Sequence, residues 1–228
     1  MISNKNSVEN SSKNSSKNGI KNSIKNSNKN NNRLRIIGGD LRGRIIKFAD
    51  VKSNIALRPT PDRVRETLFN WLGQNLDNCK CLDLFAGSGV LSFESLSRHA
   101  AQVIINDNNK TIIKNIQQNL QLLNLVNIES NKVEIYNLDA LLLLKMLGKQ
   151  SKIFDVIFID PPYNKNIIQQ IFLQNTTAKI LSKICHKNTH IYIEAEQKII
   201  DENNSFELVK YLKAGEVHSH VFIPKNCN

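Results

Sequence analysis

An acid, a rigid turn and an aromatic ring follow one another at Asp160-Pro161-Pro162-Tyr163, where a short apolar segment ends. Residues 153–159, which precede this motif, have the largely apolar character of a buried parallel strand. Two prolines cannot extend a central strand, because each lacks a backbone N–H and has a fixed φ. The chain must therefore leave the sheet at the carboxyl end of this strand, where open α/β sheets bind ligands.

This turn suits a planar substrate that carries an amino group. The Asp160 carboxylate and a carbonyl of the proline turn can accept hydrogen bonds from an amine, while the Tyr163 ring stacks on the substrate face. The simpler interpretation is a strand-ending acid, a diproline turn and a core tyrosine. The motif alone does not separate the two interpretations.

A glycine loop is the second candidate site, and it follows a short apolar strand that begins at Lys80. Its glycines allow close approach of a ligand and a sharp turn into an amphipathic stretch that runs to Arg98. A dinucleotide fingerprint would have a third glycine where Ser92 stands, which disfavours pyrophosphate binding. We predict that Asp83 faces a cationic group and that the loop backbone binds the ligand at Phe85, Ala86, Gly87, Ser88 and Gly89. The alternative is an ordinary strand–turn–helix connection.

Two further acids follow predicted strands. Asp107 ends the strand 102–107, about twenty residues beyond the loop, a spacing at which an acid commonly binds a ribose hydroxyl pair. Asp139 follows the strand Val133–Tyr136, where it can receive an exocyclic amine of a ligand. For both acids the alternative is that they cap the next helix.

Strands alternate with helices from residue 80 to 195, which predicts a Rossmann-like α/β fold with a mostly parallel, doubly wound sheet. Further helices are predicted over 109–123 and 167–185, and a fifth strand over 190–194. Phe206–Lys213 and Val217–Ile223 should form a C-terminal antiparallel hairpin. All the notable acids fall at carboxyl ends of strands, so we expect them to share one cleft.

A small basic β-hairpin is predicted within residues 33–53. Leu34–Ile37 and Arg44–Phe48 flank a glycine-rich turn. Its arginines form an arm suited to RNA phosphates, and our candidates for this contact are Arg35, Arg42 and Arg44. The alternative is a solvated hairpin that merely packs on the domain.

A helix is predicted next, with Thr60 as its N-cap and Pro61 at its first position. The residues that should face the core are Val64, Leu68, Trp71 and Leu72. Three arginines lie at or near the helix start: Arg58, Arg63 and Arg65. They either face RNA phosphate or pair with nearby acids such as Glu66, and we keep Arg58 and Arg63 as RNA-binding candidates.

The charge of the chain favours a polyanionic partner. Six lysines and one glutamate give residues 1–32 a charge of +5, so the rest of the chain carries +6 of the total +11. Nucleic acid is the commonest such partner, although a solvated basic surface is equally compatible with charge alone.

Residues 1–32 are nearly all Asn, Lys and Ser, so we predict a disordered tail, then the hairpin arm (33–53) and one catalytic domain (54–228).

No apolar run approaches the ~20 residues that span a bilayer, and the N-terminus lacks the apolar core of a signal peptide. We therefore expect a cytoplasmic protein. The cysteines are scattered, and neither they nor the histidines show metal-ligand spacing. We expect reduced thiols, with no disulfide and no metal site.

The motifs resemble a known family. Asp83-Leu-Phe-Ala-Gly-Ser-Gly89 together with Asp160-Pro-Pro-Tyr163 resembles the class I S-adenosylmethionine-dependent methyltransferases that act on exocyclic amino nitrogens. The block Arg58–Leu72 and the pair Gly38-Gly39 resemble, more narrowly, the RsmD-type 16S ribosomal RNA guanine-N2 methyltransferases of bacteria. The resemblance covers roughly residues 33 to 223. It departs at Asp107, where the family more often has glutamate.

The resemblance implies S-adenosylmethionine as cofactor, held by the loop backbone. Asp107 would bind the ribose hydroxyls, Asp139 the adenine amine, and Asp83 would lie near the methionine end. Asp160 and the Pro161 carbonyl would accept the N–H bonds of guanine N2.

The implied partner is 16S rRNA or the small ribosomal subunit, and a monomer is expected. Two alternatives remain open. One is an amino-methyltransferase that acts on DNA adenine or a protein amide. The other is a non-catalytic RNA-binding protein.

Overall fold

The computed structural model describes residues 32–48, 60–125, 132–162, 166–201 and 204–225. The predicted tail up to residue 31, Arg58 and Tyr163 lie outside these ranges. Strands are β1 Arg33–Arg35, β2 Ile45–Lys47, β3 Lys80–Asp83, β4 Gln102–Asn106, β5 Val133–Tyr136, β6 Phe154–Ile159, β7 Cys185–Ala195, β8 Phe206–Ala214 and β9 Val217–Pro224. Helices are α1 Asp62–Leu72, α2 Val90–Ser97, α3 Lys110–Leu122, α4 Ala140–Lys149 and α5 Asn175–Lys183, with a π-helical turn at Gln169–Leu173.

The main sheet has seven strands in the order β5-β4-β3-β6-β7-β9-β8. Strands β5, β4, β3, β6 and β7 are parallel, and β9 and β8 close the sheet as an antiparallel hairpin. The predicted Rossmann-like sheet with a C-terminal hairpin is therefore confirmed. The chain winds from β3 outward to β5 and then returns to β6, so β3 and β6 are neighbours at the topological switch point.

Apolar side chains cover both faces of the sheet, as a doubly wound fold requires. One face carries alternate residues of the central strands and packs with α1, α2 and α3, for example Cys81, Val156, Phe158 and Tyr192. The other packs with α4 and α5 and includes Leu82, Ile157, Ile159 and Ile191. The two-residue period of the strands thus separates two buried layers.

Two helix predictions need correction. Thr60 is not the N-cap of α1, because Pro61 takes that position and no side chain caps the helix. The single helix predicted over 167–185 is divided by Gln174, whose backbone is extended, into the π-helical turn and α5. Cys185 already belongs to β7, which is longer than predicted because it pairs with β6 on one side and β9 on the other.

Helix α2 is buried on all sides, which corrects the amphipathic stretch predicted there. All eight of its residues are buried. Its polar side chains bond to protein rather than water: Ser92 donates to Asp83, Ser95 to the Leu91 carbonyl and Ser97 to the Gly38 carbonyl. Sequence periodicity cannot reveal a partner such as Gly38, because it lies 59 residues away in the chain.

The predicted basic hairpin is present as the antiparallel pair β1–β2. Its Ile36 and Ile46 are fully buried in the same core layer as the sheet. Asn119 of α3 clamps the Lys47 backbone, accepting from its N–H at 3.0 Å and donating to its carbonyl at 2.5 Å. The hairpin is thus fixed to the domain by apolar packing and by bonds to its main chain.

The hairpin turn is fastened to the end of α2. The Asp40 N–H donates to the Ser97 carbonyl at 2.8 Å, and the Leu41 N–H donates to the Ser97 hydroxyl at 2.9 Å. Gly39 has φ +70°, and a Cβ there would lie only 1.8 Å from the Ser97 carbonyl oxygen. This approach explains why the turn requires glycine.

Across the described ranges, no helix combines the length and apolarity needed to cross a membrane. Within them, no group of three or more His, Cys, Asp or Glu side chains is arranged so that it could hold a metal ion.

Candidate functional site

Three carboxylates meet at the carboxyl edge of the sheet. Asp83 is the last residue of β3, Asp107 follows β4 and Asp160 follows β6. These strands are parallel neighbours, so their ends lie at the same edge. The charge of Asp107 contributes to raising the pKa of Asp83, and that of Asp83 contributes to raising the pKa of Asp160. The three acids therefore share one electrostatic environment at the switch point.

Asp83 is 1% exposed and accepts a bond from the Ser92 hydroxyl at 2.6 Å. Burial raises the pKa of Asp83 to about 7, against the opposing effect of the Ser92 bond, and the Asp107 charge adds to the rise. A positively charged ligand group beside it would favour the ionised carboxylate. Asp83 is thus suited to a cationic ligand near neutral pH.

The glycine loop turns tightly from β3 into α2. The Gly89 N–H donates to the Ala86 carbonyl at 2.6 Å, and the Gly89 carbonyl accepts the first turn of α2 from the Phe93 N–H. Gly89 has φ +76°, and a Cβ there would lie 3.0 Å from the Phe93 ring. In the same loop Ala86 and Ser88 are buried, while Phe85 and Gly87 are partly exposed. The backbone of this loop is therefore accessible at its outer edge.

Asp107 holds the glycine loop against β4. Its Oδ2 accepts from the Gly87 N–H at 3.0 Å and its Oδ1 from the Asn109 N–H at 2.8 Å. Burial raises its pKa, and the two bonds oppose that shift. The helix cap of α3 is Asn109 rather than Asp107. A carboxylate offers about four acceptor positions, so two remain for a pair of hydroxyl groups.

Asp139 does cap a helix, as the alternative interpretation predicts. Its Oδ1 accepts from the Leu141 N–H at 2.9 Å and the Leu142 N–H at 3.2 Å, at the start of α4. The side chain is exposed and follows the end of β5, the strand that pairs with β4. Capping occupies one carboxylate oxygen, and the other oxygen is available to an amine.

Asn106 is a scaffold residue that the sequence reasoning missed. It is 1% exposed, and its amide donates to the carbonyls of Leu84 and Leu138, both at 3.1 Å. Its oxygen accepts from the Leu138 N–H at 3.1 Å. One side chain thus ties together the segments that follow β3 and β5. The feature of the sequence that could have identified it was an amide side chain at the end of a largely apolar strand.

Asp160 leaves β6 at the predicted turn, followed by buried Pro161 and exposed Pro162. The residue is partly exposed, yet its carboxyl is densely surrounded by protein. This burial raises the pKa of Asp160 well above its usual value, and Glu194 and Asp83 add to the rise. Glu194, on the neighbouring β7, was predicted only as a strand residue. An acidic residue within an otherwise apolar strand was the feature of the sequence that could have identified it.

The arginine candidates of the hairpin and α1 lie on the surface. Arg42, Arg44 and Arg63 are exposed. Arg35 is also exposed and approaches the Asp62 carboxylate at 3.4 Å. All four are accessible to a polyanion.

Arg65 has a different role from the other arginines. It is fully buried, forms an ion pair with Glu94, and lies 2.5 Å from the Asp62 carboxylate. It also donates to the Arg35 carbonyl at 3.0 Å. Of the two alternatives for Arg65, pairing with acids therefore holds, but with partners other than Glu66.

The basic arm and the acidic cleft occupy different ends of α2. The helix begins beside the glycine loop and ends at Ser97, which holds the hairpin turn. Eight residues at 1.5 Å each separate the two ends by about 12 Å.

Comparison with protein families gives one match that covers most of the chain. The model of the family described as Conserved hypothetical protein 95 matches residues 34–223. The match includes the hairpin, the glycine loop and the Asp160 turn.

Individual relatives agree with the family match. A ribosomal RNA small subunit methyltransferase D of Buchnera aphidicola is 36% identical over 196 residues, which cover 84% of this chain and 93% of that protein. The protein of the same description from Haemophilus influenzae is 40% identical over 169 residues, covering 72% and 79%. The structure of a putative methyltransferase from Escherichia coli superposes with a TM-score of 0.69 at 30% identity, covering 86% of this chain and 99% of that one.

Proposed function

Because this chain belongs to the Conserved hypothetical protein 95 family, we propose that it transfers a methyl group from S-adenosylmethionine to the exocyclic N2 of a guanine in 16S rRNA. The relatives named above, as ribosomal RNA small subunit methyltransferases, support the reaction class and the substrate. The observation that carries the chemistry is Asp160, an enclosed acid of raised pKa at the switch point of the sheet. The N2 position rests on the family resemblance.

The donor set at the sheet edge fits S-adenosylmethionine. Asp107 keeps acceptor capacity for two ribose hydroxyls beside the backbone of residues 85–89. Asp139 offers its second carboxylate oxygen to the adenine amine. Asp83 stabilises the charge of the methionine ammonium from its buried position. When bound, the cofactor supplies an electrophilic methyl group on a sulfonium centre.

Asp160 activates the acceptor amine. The lone pair of guanine N2 is delocalised into the ring, so the free amine is a poor nucleophile. Hydrogen bonds from its two N–H groups to Asp160 and to the Pro161 carbonyl localise that lone pair. The amine becomes positively charged during attack, so these acceptors bind the transition state better than the ground state. A carboxylate of raised pKa also accepts the released proton.

The aromatic and proline residues complete the acceptor pocket in this proposal. Tyr163 stacks on the guanine, which must leave its surroundings to reach Asp160. Pro161 and Pro162 fix the direction of the chain, because a diproline turn has little conformational freedom. Positioning the amine in line with the methyl group supplies much of the rate.

The arginine surface positions the RNA. Five arginines contact phosphates and so hold the RNA strand without reading its sequence. They are Arg35, Arg42, Arg44, Arg58 and Arg63. The separation between this surface and the cleft along α2 favours a structured RNA segment over a single nucleotide as substrate. Such a substrate is present in the small ribosomal subunit, and we place the reaction in the cytoplasm and expect a monomer to perform it.

The test is transfer of a labelled methyl group to unmodified small subunits, naked 16S RNA, DNA and protein, with the modified nucleoside identified by mass spectrometry. N2-methylguanosine in the subunit or its RNA is the expected product. Label in adenine or protein would retain the amine chemistry and overturn the substrate. Binding of S-adenosylmethionine without transfer to any substrate would mean that the substrate or its assembly state is wrong, whereas failure to bind S-adenosylmethionine would support the non-catalytic alternative.

A further inference from the structure

A buried glutamate, Glu194, lies beside Asp160. Strands β6 and β7 pair in parallel up to Ile159 and Ile193, so the next residues, Asp160 and Glu194, stand side by side. On its other side Glu194 pairs with Ser219 of β9. Residues paired in this way project to the same face of a sheet. Glu194 therefore faces the same cleft edge as Asp160.

Glu194 is held in place by buried polar groups. It is 3% exposed and accepts a bond from the Tyr192 hydroxyl at 2.7 Å. The same hydroxyl lies 3.2 Å from the Ser219 hydroxyl. Burial and the Glu194 charge raise the pKa of Tyr192 well above its usual value, so its phenol stays protonated. The tyrosine thus serves as a permanent donor to Glu194.

Among the residues that the structure describes, the titratable groups that influence Asp160 are two acids and one phenol. Asp83 faces it from β3, and Glu194 and Tyr192 face it from β7. After burial, the Glu194 charge is the largest contribution that raises the pKa of Asp160, ahead of Asp83. Like charges at close range disfavour a second ionised carboxylate, so proton uptake at Asp160 becomes easier.

We propose that Glu194 is a positioning residue for methyl transfer, which sets the proton affinity of Asp160 so that Asp160 takes the proton of the methylated amine. This inference rests on the proposed function. As the N–C bond forms and the methyl–sulfur bond breaks, the amine nitrogen becomes positively charged. An N–H bond then breaks, its electron pair stays on nitrogen, and the proton moves to the Asp160 carboxylate, which becomes a neutral acid.

The competing explanation is that Glu194 only completes the bonds around Tyr192 and Ser219. The two explanations differ in their effect on the pH profile. Removing a neighbouring negative charge lowers the pKa of Asp160, so the acid limb of the rate profile should move to lower pH. Loss of packing alone would lower the rate at every pH and leave the limb in place.

The experiment measures single-turnover methyl transfer by the full chain to the accepted RNA substrate over a wide pH range. Glu194→Gln should move the acid limb to lower pH and reduce the plateau rate by roughly ten-fold, because Asp160 becomes a weaker base. Glu194→Asp withdraws the charge by one methylene, so it should shift the limb in the same direction by less. S-adenosylmethionine affinity and thermal unfolding identify any variant that does not fold.

If the folded variants show the acid limb of the rate profile at the same pH as the wild-type protein, the inference is overturned. Should Glu194→Gln not fold, the Glu194→Asp profile decides in the same way. Failure of the proposed function itself would show differently, as absence of N2-methylguanosine with the wild-type protein. The two failures are therefore distinguishable in one series.

Discussion

The buried carboxylate of Glu94 supports a strong prediction about stability. It is fully buried on α2 and forms ion pairs with two equally enclosed arginines, Arg65 of α1 and Arg98 at the end of α2. It also accepts the Ile37 N–H at 2.8 Å, which links the network to the hairpin. Glu94→Gln preserves the shape and removes the charge, so both guanidinium groups lose their shared anion in a water-free environment.

The expected cost is about 3 kcal/mol in the free energy of unfolding, the lower end for breaking a buried ion pair. The lower end applies because both arginines keep other partners. Arg65 retains Asp62, and Arg98 lies 4.2 Å from the centre of the Phe69 ring. For a domain of this size, that loss lowers Tm by roughly 6–12 °C.

Chemical denaturation and thermal unfolding of the full chain measure this loss. The matched control is Glu66→Gln, which neutralises an exposed glutamate on α1 and should change stability by less than about 0.5 kcal/mol. RNA affinity should fall with Glu94→Gln, because Arg65 and Glu94 both hold the hairpin backbone. A stability loss no larger than that of the control would refute the idea that this network fixes the hairpin to the domain.

Three further outcomes are expected. Asp160→Asn should abolish methyl transfer while S-adenosylmethionine still binds; joint loss of both in titration calorimetry would indicate a structural role instead. Replacing Arg42 and Arg44 with glutamine should weaken RNA binding and reduce its salt slope by roughly two, unlike the control that removes two exposed lysines of α4, Lys145 and Lys149. The pKa of Asp83 is about 7 in the folded protein and about 3.9 in an unfolded chain, so its proton is held more tightly by the folded state. The protonated Asp83 side chain therefore stabilises the folded state. This contribution to the free energy of unfolding is complete below the unfolded pKa, and up to about 4 kcal/mol of it is lost as the pH rises through 7. Urea unfolding of ligand-free Asp83→Asn should lack this fall, and an unchanged pH dependence would contradict the assignment.

The fixed hairpin has a consequence for substrate recognition. Its arginines are presented by a backbone that Asn119, Ser97, Arg65 and Glu94 already hold. Less conformational entropy is therefore lost when phosphates bind than with a free arm.

Local sequence patterns predicted much of the fold. The strand Val133–Tyr136 is found as predicted, and the C-terminal and N-terminal hairpins lie within a residue or two of their predicted bounds. These elements depend on apolar periodicity and turn residues, which are properties of neighbouring positions. The alternation of strands with helices also determined that the sheet is parallel, and hence that the acids after β3, β4 and β6 share an edge.

The tertiary structure decided which side chains from different strands and helices contact each other. Arg65 and Glu94 are 29 residues apart, and only the packing of α1 on α2 shows that the arginine pairs inward while Arg63 stays exposed. The role of Asn106 and the adjacent positions of Asp160 and Glu194 follow from strand order and register. Sequence periodicity determines which face a residue occupies, because that is local geometry. Its partner depends on long-range packing, and for buried charges the partner determines pKa and chemistry.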